Sequence, residues 1–358
     1  MEPEQDTRHG AGTERLIRSL FLIVPVAALA TVVSTLATTG RNAWASLRPL
    51  DLRTALLALS LTLVPWFTDA ARMAVWSRFL GAPLPYGPLL RLSAFAELGA
   101  AVTPPAVGTA PIKIAVLMRY GLSGGAAMTV TTLSSLEDWL FFLITVPLCL
   151  AAAPVSILPD LGRVFASAGP GFPWVLGGTV VVCVLASVWL RRDRASRPAK
   201  ADGASGRLFE RLRRVVRDVA ASYRLIARRG KTLVLLALVL TAVQWVCRYS
   251  VVTVLVWGIG LPVHPVQFFA LQAVIFALSS VVPTPGGAGG MEMLFTALHQ
   301  SLIPGPMIGI ATAAWRVSTF YIPVLVASVV ALTWLPIGRR DRRPVSSEAG
   351  PSLPQPEI

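Results

Sequence analysis

Six stretches of this chain are long and apolar enough to cross a bilayer, and they restrict the fold more than any motif does. They fall at about 16–38, 54–77, 125–150, 172–190, 231–257 and 306–334. Each offers ~19 or more mostly apolar residues, the number an α-helix needs to span ~30 Å of hydrocarbon. Lipid supplies no hydrogen bonds, so these runs are predicted to be helices that satisfy their own backbone. Composition agrees, since only 14% of the residues are charged against ~25% in soluble domains. Residues 20–30, behind Arg15 and Arg18, imitate a signal peptide with Ala28 and Ala30 as its small-residue site. The apolar run continues to Thr38, and Glu2, Glu4, Asp6 and Glu14 precede it, so the segment reads as a retained first helix.

Two further apolar segments contain breakers. Residues 88–121 are interrupted by "TPPAVGTAPIK", with Pro104, Pro105 and Gly108, and residues 265–302 by "PTPGGAGGMEML", with Pro283, Pro285, Gly286, Gly287 and Gly289. Proline stops a helix because it lacks the N–H and clashes with the preceding turn, and glycine frees the backbone to reverse. Each segment is therefore expected to be two half-helices around a reversal.

The net charge of +14 bears on topology through where it sits. Residues 191–231 hold fourteen Lys and Arg and the C-terminal tail begins "GRRDRRP", whereas the loops 151–171 and 258–265 together hold one Arg. The positive-inside rule puts the former in the cytoplasm, although Arg41, Arg48 and Arg53 in the loop 39–53 oppose it. Basic residues bordering apolar spans point to topology and anionic lipid, and nucleic acid is not an expected partner. The three cysteines lie far apart in apolar segments, and no Cys or His pair has metal-ligand spacing.

On this topology the first broken hairpin enters from the cytoplasm and the second from outside, each lying between two full spans. That is the hydropathy pattern of an inverted repeat, which in transporters places binding near the midplane between discontinuous helices. Thr103-Pro104 aligns with Thr284-Pro285, and Gly108 with Gly289. The expected fold is an all-α polytopic membrane protein of about six full transmembrane helices plus two oppositely oriented re-entrant hairpins. Its parts are a polar tail 1–15, a first half 16–190, a basic linker 191–230, a second half 231–335 and a basic tail 336–358. Within the linker, residues 207–229 set Leu208, Leu212, Val215, Val219, Tyr223 and Ile226 on one helical face and arginines on the rest. This amphipathic helix is expected on the anionic inner leaflet.

Charged groups inside spans cost at least ~2.5 kcal/mol each at the centre and face a partner or a polar cavity. The candidates for substrate binding are Lys113, Glu137, Asp138, Arg248, Glu292 and Arg316. The alternative is structural, with the carboxylates pairing with arginines to pin helices together. Asp69 and Arg72, three residues apart, are expected to neutralise each other. A returning half-helix starting near Met291 would aim its positive dipole end at an anion such as phosphate. "GGAGGME" lacks the Lys-Ser/Thr of a nucleotide-binding loop, and no hydrolase motif is present, so no cofactor is expected.

"PTPGGAGGMEMLFTALHQ", followed by Arg316 in "AWRVSTFYIPVLV", resembles the flippase-like membrane family related to the transmembrane region of lysylphosphatidylglycerol synthases. The pattern P-x-P-G-G-x-G-x-x-E is matched at Pro283, Pro285, Gly286, Gly287, Gly289 and Glu292, with Arg316 in the next span. The first breaker is similar at Pro104, Gly108, Pro111, Lys113, Leu117 and Gly121, and "LEDWLFFL" carries the acidic Glu137. The chain departs from the family where a glutamate often follows the first-breaker glycine and an arginine precedes it. Here stand Thr109 or Ala110, and Ala106 or Val107. With Ile358 as the last residue, no aminoacyl-transferase domain is expected, and the protein is not expected to be an enzyme.

The resemblance implies a lipid flippase of a bacterial inner membrane, both termini cytoplasmic, moving an anionic lipid or lipid-linked intermediate. The expected partners are membrane lipids with anionic head groups, and a homo-oligomer is compatible with the sequence. A small-solute or ion transporter with the same repeat, and a non-transporting scaffold acting through the basic linker, are the alternatives.

Overall fold

A computed structural model describes residues 51–103, 108–152, 204–279 and 284–334. Among these, 87% are helical and none forms a strand. Four helices are long and apolar enough to cross a membrane: Leu52–Phe79, Gly124–Cys149, Lys231–Gly258 and Gly305–Thr333. The expected spans 16–38 and 172–190, both tails, and breaker residues Pro104, Pro105 and Pro283 lie outside the described residues.

In chain order the helices are α1 (Leu52–Phe79), α2 (Tyr86–Val102), α3 (Thr109–Arg119), α4 (Gly124–Ala152), α5 (Ala204–Arg229) and α6 (Lys231–Gly258). They continue as α7 (Pro265–Ser279), α8 (Gly290–His299), α9 (Gly305–Arg316) and α10 (Ile322–Trp334). A π-helical turn, Val317–Tyr321, joins α9 to α10. α1 and α6 both have 28 residues, ~42 Å at ~1.5 Å per residue, whereas the ten residues of α8 reach only ~15 Å.

α1 and α6 also end alike. Gly81 (φ 81°) and Gly260 (φ 84°) occupy the left-handed region just past each helix. Ala82 N then donates to Ser77 O, and Leu261 N to Val256 O. This six-to-one bond is the Schellman stop, and Pro83 and Pro262 follow two residues after each glycine to prevent resumption.

α1 and α6 pack along each other, α2 packs on α10, and α7 packs on α4. The helix that follows each broken segment, α4 or α10, therefore touches the broken segment of the other half. One apolar core lies among α6 to α9, around Phe268, Phe295 and Trp315. A second joins α1 to α4 around Met73, Trp76 and Leu117, and a third sets Ala94, Leu98 and Ala101 of α2 against Val324, Ala327 and Ala331 of α10. Small residues there let the helix backbones approach closely. Leu143 and Leu148 of α4, Leu235 and Val239 of α6, and Leu325 and Leu332 of α10 are exposed. A soluble surface avoids apolar stripes of this extent, whereas a lipid-facing one requires them.

The amphipathic helix expected at 207–229 is α5. Instead of leaving its apolar face wholly to the leaflet, the protein seats part of it on α4. Tyr223 donates from its hydroxyl to Thr132 Oγ1 at 2.9 Å, and Ile226 is buried in the core of the first half. A Cβ on Gly125 would collide with Asp218, so glycine is what admits α5 there. Burial raises the phenol of Tyr223 above its ordinary range, while Arg217, Arg224, Arg228 and Arg229 remain exposed.

Candidate functional site

The charged residues gather at three places, and the largest is centred on Arg72. Asp69, Arg72 and Trp76 recur at helical spacing on the buried face of α1. α4 adds Ser134, Glu137 and Asp138, α6 adds Thr241, Gln244 and Trp245, and the first broken segment contributes Ser93 and Lys113. The guanidinium, whose side chain is 1% exposed, has Nη1 within hydrogen-bonding reach of Thr241 Oγ1 (2.9 Å), Asp138 Oδ1 (3.0 Å), Glu137 Oε2 (3.3 Å) and Ser134 O (3.3 Å). Its Nη2 donates to Gln244 Oε1 at 3.0 Å and reaches Asp69 Oδ1 at 3.5 Å.

The sequence expectation that Asp69 and Arg72 chiefly neutralise each other is therefore too narrow. Their contact is the longest of Arg72's three ion pairs. Asp69 instead accepts from Lys113 Nζ at 2.8 Å and from Ser93 Oγ at 2.7 Å. Trp76 Nε1 donates to Glu137 Oε1 at 2.7 Å, and Trp245 Nε1 to Asp138 Oδ1 at 2.9 Å. Burying an ion costs several kcal/mol unless it is paired and hydrogen-bonded, and here Arg72 and each of the three carboxylates have more than one partner.

The second place is the reversal at 284–290. Pro285–Gly287 form a short 3₁₀ turn, with Gly286 at φ 60°, Gly287 at φ 68° and Gly289 at φ 79°. Left-handed backbone strains other residues, and at Gly286 a Cβ would also lie 2.5 Å from Phe320 Cζ and 3.3 Å from the Ala101 carbonyl oxygen. Arg316 secures this turn. Its Nε donates to Glu292 Oε1 at 2.8 Å, its Nη2 donates to Gly286 O at 3.0 Å, and its guanidinium lies 4.6 Å from the Phe320 ring centre. Glu292 occupies the first turn of α8, where a carboxylate complements the helix dipole. The π turn begins at the residue after Arg316 and carries Phe320.

α2 packs on the Pro285–Gly287 turn, which brings the two broken segments together. At the first reversal Thr103 Oγ1 donates to Gly99 O at 2.7 Å and accepts from Gly108 N at 2.9 Å. A Cβ on Gly108 would stand 2.8 Å from Gly99 O, so two glycines allow the α2 and α3 backbones to touch. Thr284 likewise reaches across its own turn, donating to Ala288 O at 3.0 Å.

The third place is a small cleft lined by Thr62, Trp66, Glu97, Arg248, Thr319 and Pro323. Arg248 Nη2 donates to Glu97 Oε1 at 3.4 Å, with both side chains about a quarter exposed. The guanidinium also lies 5.1 Å from the Phe276 ring centre.

Of the six candidates, Lys113, Glu137 and Asp138 share the Arg72 cluster, Glu292 and Arg316 pair at the second reversal, and Arg248 stands at the cleft. Sequence reading missed Glu97 and the central role of Arg72. Glu97 is an acid inside an apolar segment, the same signal that singled out Glu137. Gln244 and Arg248, which share a face of α6, diverge to the Arg72 cluster and to Glu97. His299 is buried and stacks 4.1 Å from the Phe295 ring centre, with Nδ1 2.9 Å from Phe295 O.

The lysylphosphatidylglycerol synthase TM region family matches residues 19–327, most of the chain. The chain belongs to that family. A UPF0104 membrane protein of Archaeoglobus fulgidus is 20% identical over 292 residues, covering 80% of this chain and 88% of the relative. Family and helices together make this a multi-pass membrane protein of the lysylphosphatidylglycerol synthase TM region family.

Proposed function

We propose that the protein is a flippase-like transporter that moves an anionic phospholipid or lipid-linked intermediate between leaflets, without enzymatic turnover, in a bacterial inner membrane with both termini cytoplasmic. The observation that carries this reading is the contact between the two broken segments, where α2 packs on the Pro285–Gly287 turn whose Gly286 carbonyl accepts from Arg316. Irregular backbone at membrane depth is tolerated where it is buried in protein or lines a polar cavity, and a carrier uses such backbone for binding.

On this reading the segments α2–α3 and α7–α8 are re-entrant hairpins of opposite orientation. The crosswise packing of α2 on α10 and α7 on α4 supports the inverted repeat, as do the matching ends of α1 and α6. Arg248 is the cation open to a head group, since it is about a quarter exposed at a cleft, whereas Arg316 and Arg72 are engaged within the fold. A phosphate would exchange with Glu97 for the Arg248 guanidinium, while the acyl chains remain outside the helix bundle.

The test is reconstitution with fluorescent phosphatidylglycerol, phosphatidylethanolamine and a water-soluble phosphate ester assayed in parallel. Protein-dependent movement of the anionic lipid is expected. Uptake of the soluble ester without lipid movement would establish a solute carrier instead, and no movement of any of them would favour a scaffold.

A further inference from the structure

We propose that Glu137 is a proton-binding residue that couples this carrier to a transmembrane proton gradient; the coupling rests on the transport reading above, the proton site on the geometry of the cluster. Among the described residues, the buried cluster joins three carboxylates, Asp69, Glu137 and Asp138, to two cations, Arg72 and Lys113. Fully ionised, it carries one uncompensated negative charge in a region shielded from water. Neighbouring like charges and burial both favour taking up a proton to remove it.

The partners indicate which carboxylate takes it. Asp69 is held by Lys113 Nζ, Ser93 Oγ and Arg72. Asp138 is held by Arg72 at 3.0 Å and by Trp245 Nε1 at 2.9 Å. Glu137 is 5% exposed, and its cationic contact, Arg72 at 3.3 Å, is longer. The groups acting directly on Glu137 are Arg72 and Trp76 from α1, Asp138 from α4 and the phenol of Tyr223 from α5; beyond them Arg72 also meets Asp69 of α1 and the neutral Thr241 and Gln244 of α6, and Asp69 meets Lys113 of α3.

A second observation concerns Arg72 itself. Its buried Nε–H has no acceptor among the described residues, although both terminal nitrogens are engaged. When Glu137 is neutralised, the guanidinium can turn toward Asp69 or Asp138 and bring that unused donor into play, so the cluster has two arrangements for one proton to select between. The balance is simple: the Glu137 carboxylate accepts one proton from one aqueous side, the cluster passes from −1 to neutral, and the same proton leaves to the other side, with no electron moved. Intramembrane carboxylates commonly serve proton relays in this way.

The test uses the full chain in lipid nanodiscs and in proteoliposomes. Infrared difference spectra across pH are expected to contain a protonated-carboxyl band at neutral pH that shifts when glutamate is ¹³C-labelled and is lost in Glu137→Gln. If Glu137→Gln does not fold, Glu137→Asp in the labelled protein replaces it, and the band should then no longer respond to the glutamate label. A band absent at neutral pH, or unchanged by these substitutions, overturns the proton site. In proteoliposomes a pH gradient should accelerate lipid movement by the wild type, and movement indifferent to the gradient overturns the coupling while leaving the flippase reading intact. A glutamate band without any lipid movement would instead retain the proton site and overturn both the flippase reading and the coupling.

Discussion

Replacing Arg72 by Met keeps most of the side-chain volume and removes the charge, so it isolates what the guanidinium contributes. Three carboxylates then lose a cation that lies within 3.0–3.5 Å of each. Removing one partner of a buried ion pair costs about 3–5 kcal/mol, because the other charge is left without compensation. Asp69 keeps Lys113 and Glu137 keeps Trp76, which places the expected loss near the lower end, about 3 kcal/mol. At about 1–2 °C per kcal/mol for a chain of 358 residues, Tm in a fixed nanodisc should fall by about 4 °C. The indoles of Trp76 and Trp245, two of the ten tryptophans, bond directly to Glu137 and Asp138, so tryptophan fluorescence includes reporters at the cluster. Adding Glu137→Gln should recover part of the loss, with a coupling of about 0.5–3 kcal/mol. A loss below about 1 kcal/mol for the single change, or strict additivity of the two, would refute the hub.

Gly286→Ala places a side chain on left-handed backbone against Phe320, and should lower stability by about 1–3 kcal/mol in thermal unfolding, with Gly305→Ala, where a Cβ meets open space, as the milder comparison. Arg248→Ala should slow translocation of anionic lipid while lowering Tm less than Arg72→Met does, because the Arg248–Glu97 pair is longer and less buried than the pairs of Arg72. Tyr223→Phe removes the hydroxyl bond to Thr132 and should speed limited proteolysis within α5 at a stability cost of about 1 kcal/mol or less. Asp51 caps α1 through Thr54 N–H, which holds its carboxyl below the ordinary carboxylate range. Its stabilisation is present above an unfolded pKa of about 4 and lost as pH falls through the lower folded value, so exchange at Thr54 should accelerate there in the wild type but not in Asp51→Asn.

The long apolar runs were legible because hydrophobicity over ~20 residues suffices to define a span, and the four that fall among the described residues agree with the helices to within about two residues at each end. The break from Thr284 to Gly289 was legible because proline and glycine act locally. What remained hidden was partner choice. Nothing local reveals that Gln244 turns to Arg72 while Arg248, four residues on, turns to Glu97 of α2. The pairing of Asp69 with Arg72 was visible as an i, i+3 spacing, but Lys113 and Ser93 compete for Asp69 only after α2 and α3 fold against α1. The amphipathic pattern of α5 established an apolar face, yet α4 as well as lipid can cover such a face, and Gly125 decides how closely α4 is approached.

The central claim is transport of an anionic head group past the meeting point of the two broken segments, and leaflet accessibility of labelled phosphatidylglycerol tests it most directly. Wild-type proteoliposomes treated with a membrane-impermeant quencher should lose fluorescence beyond the outer-leaflet fraction, and folded Arg248→Ala should do so more slowly. Quenching that stops at the outer leaflet with folded wild-type protein, under an imposed pH gradient as well as without one, would contradict the account.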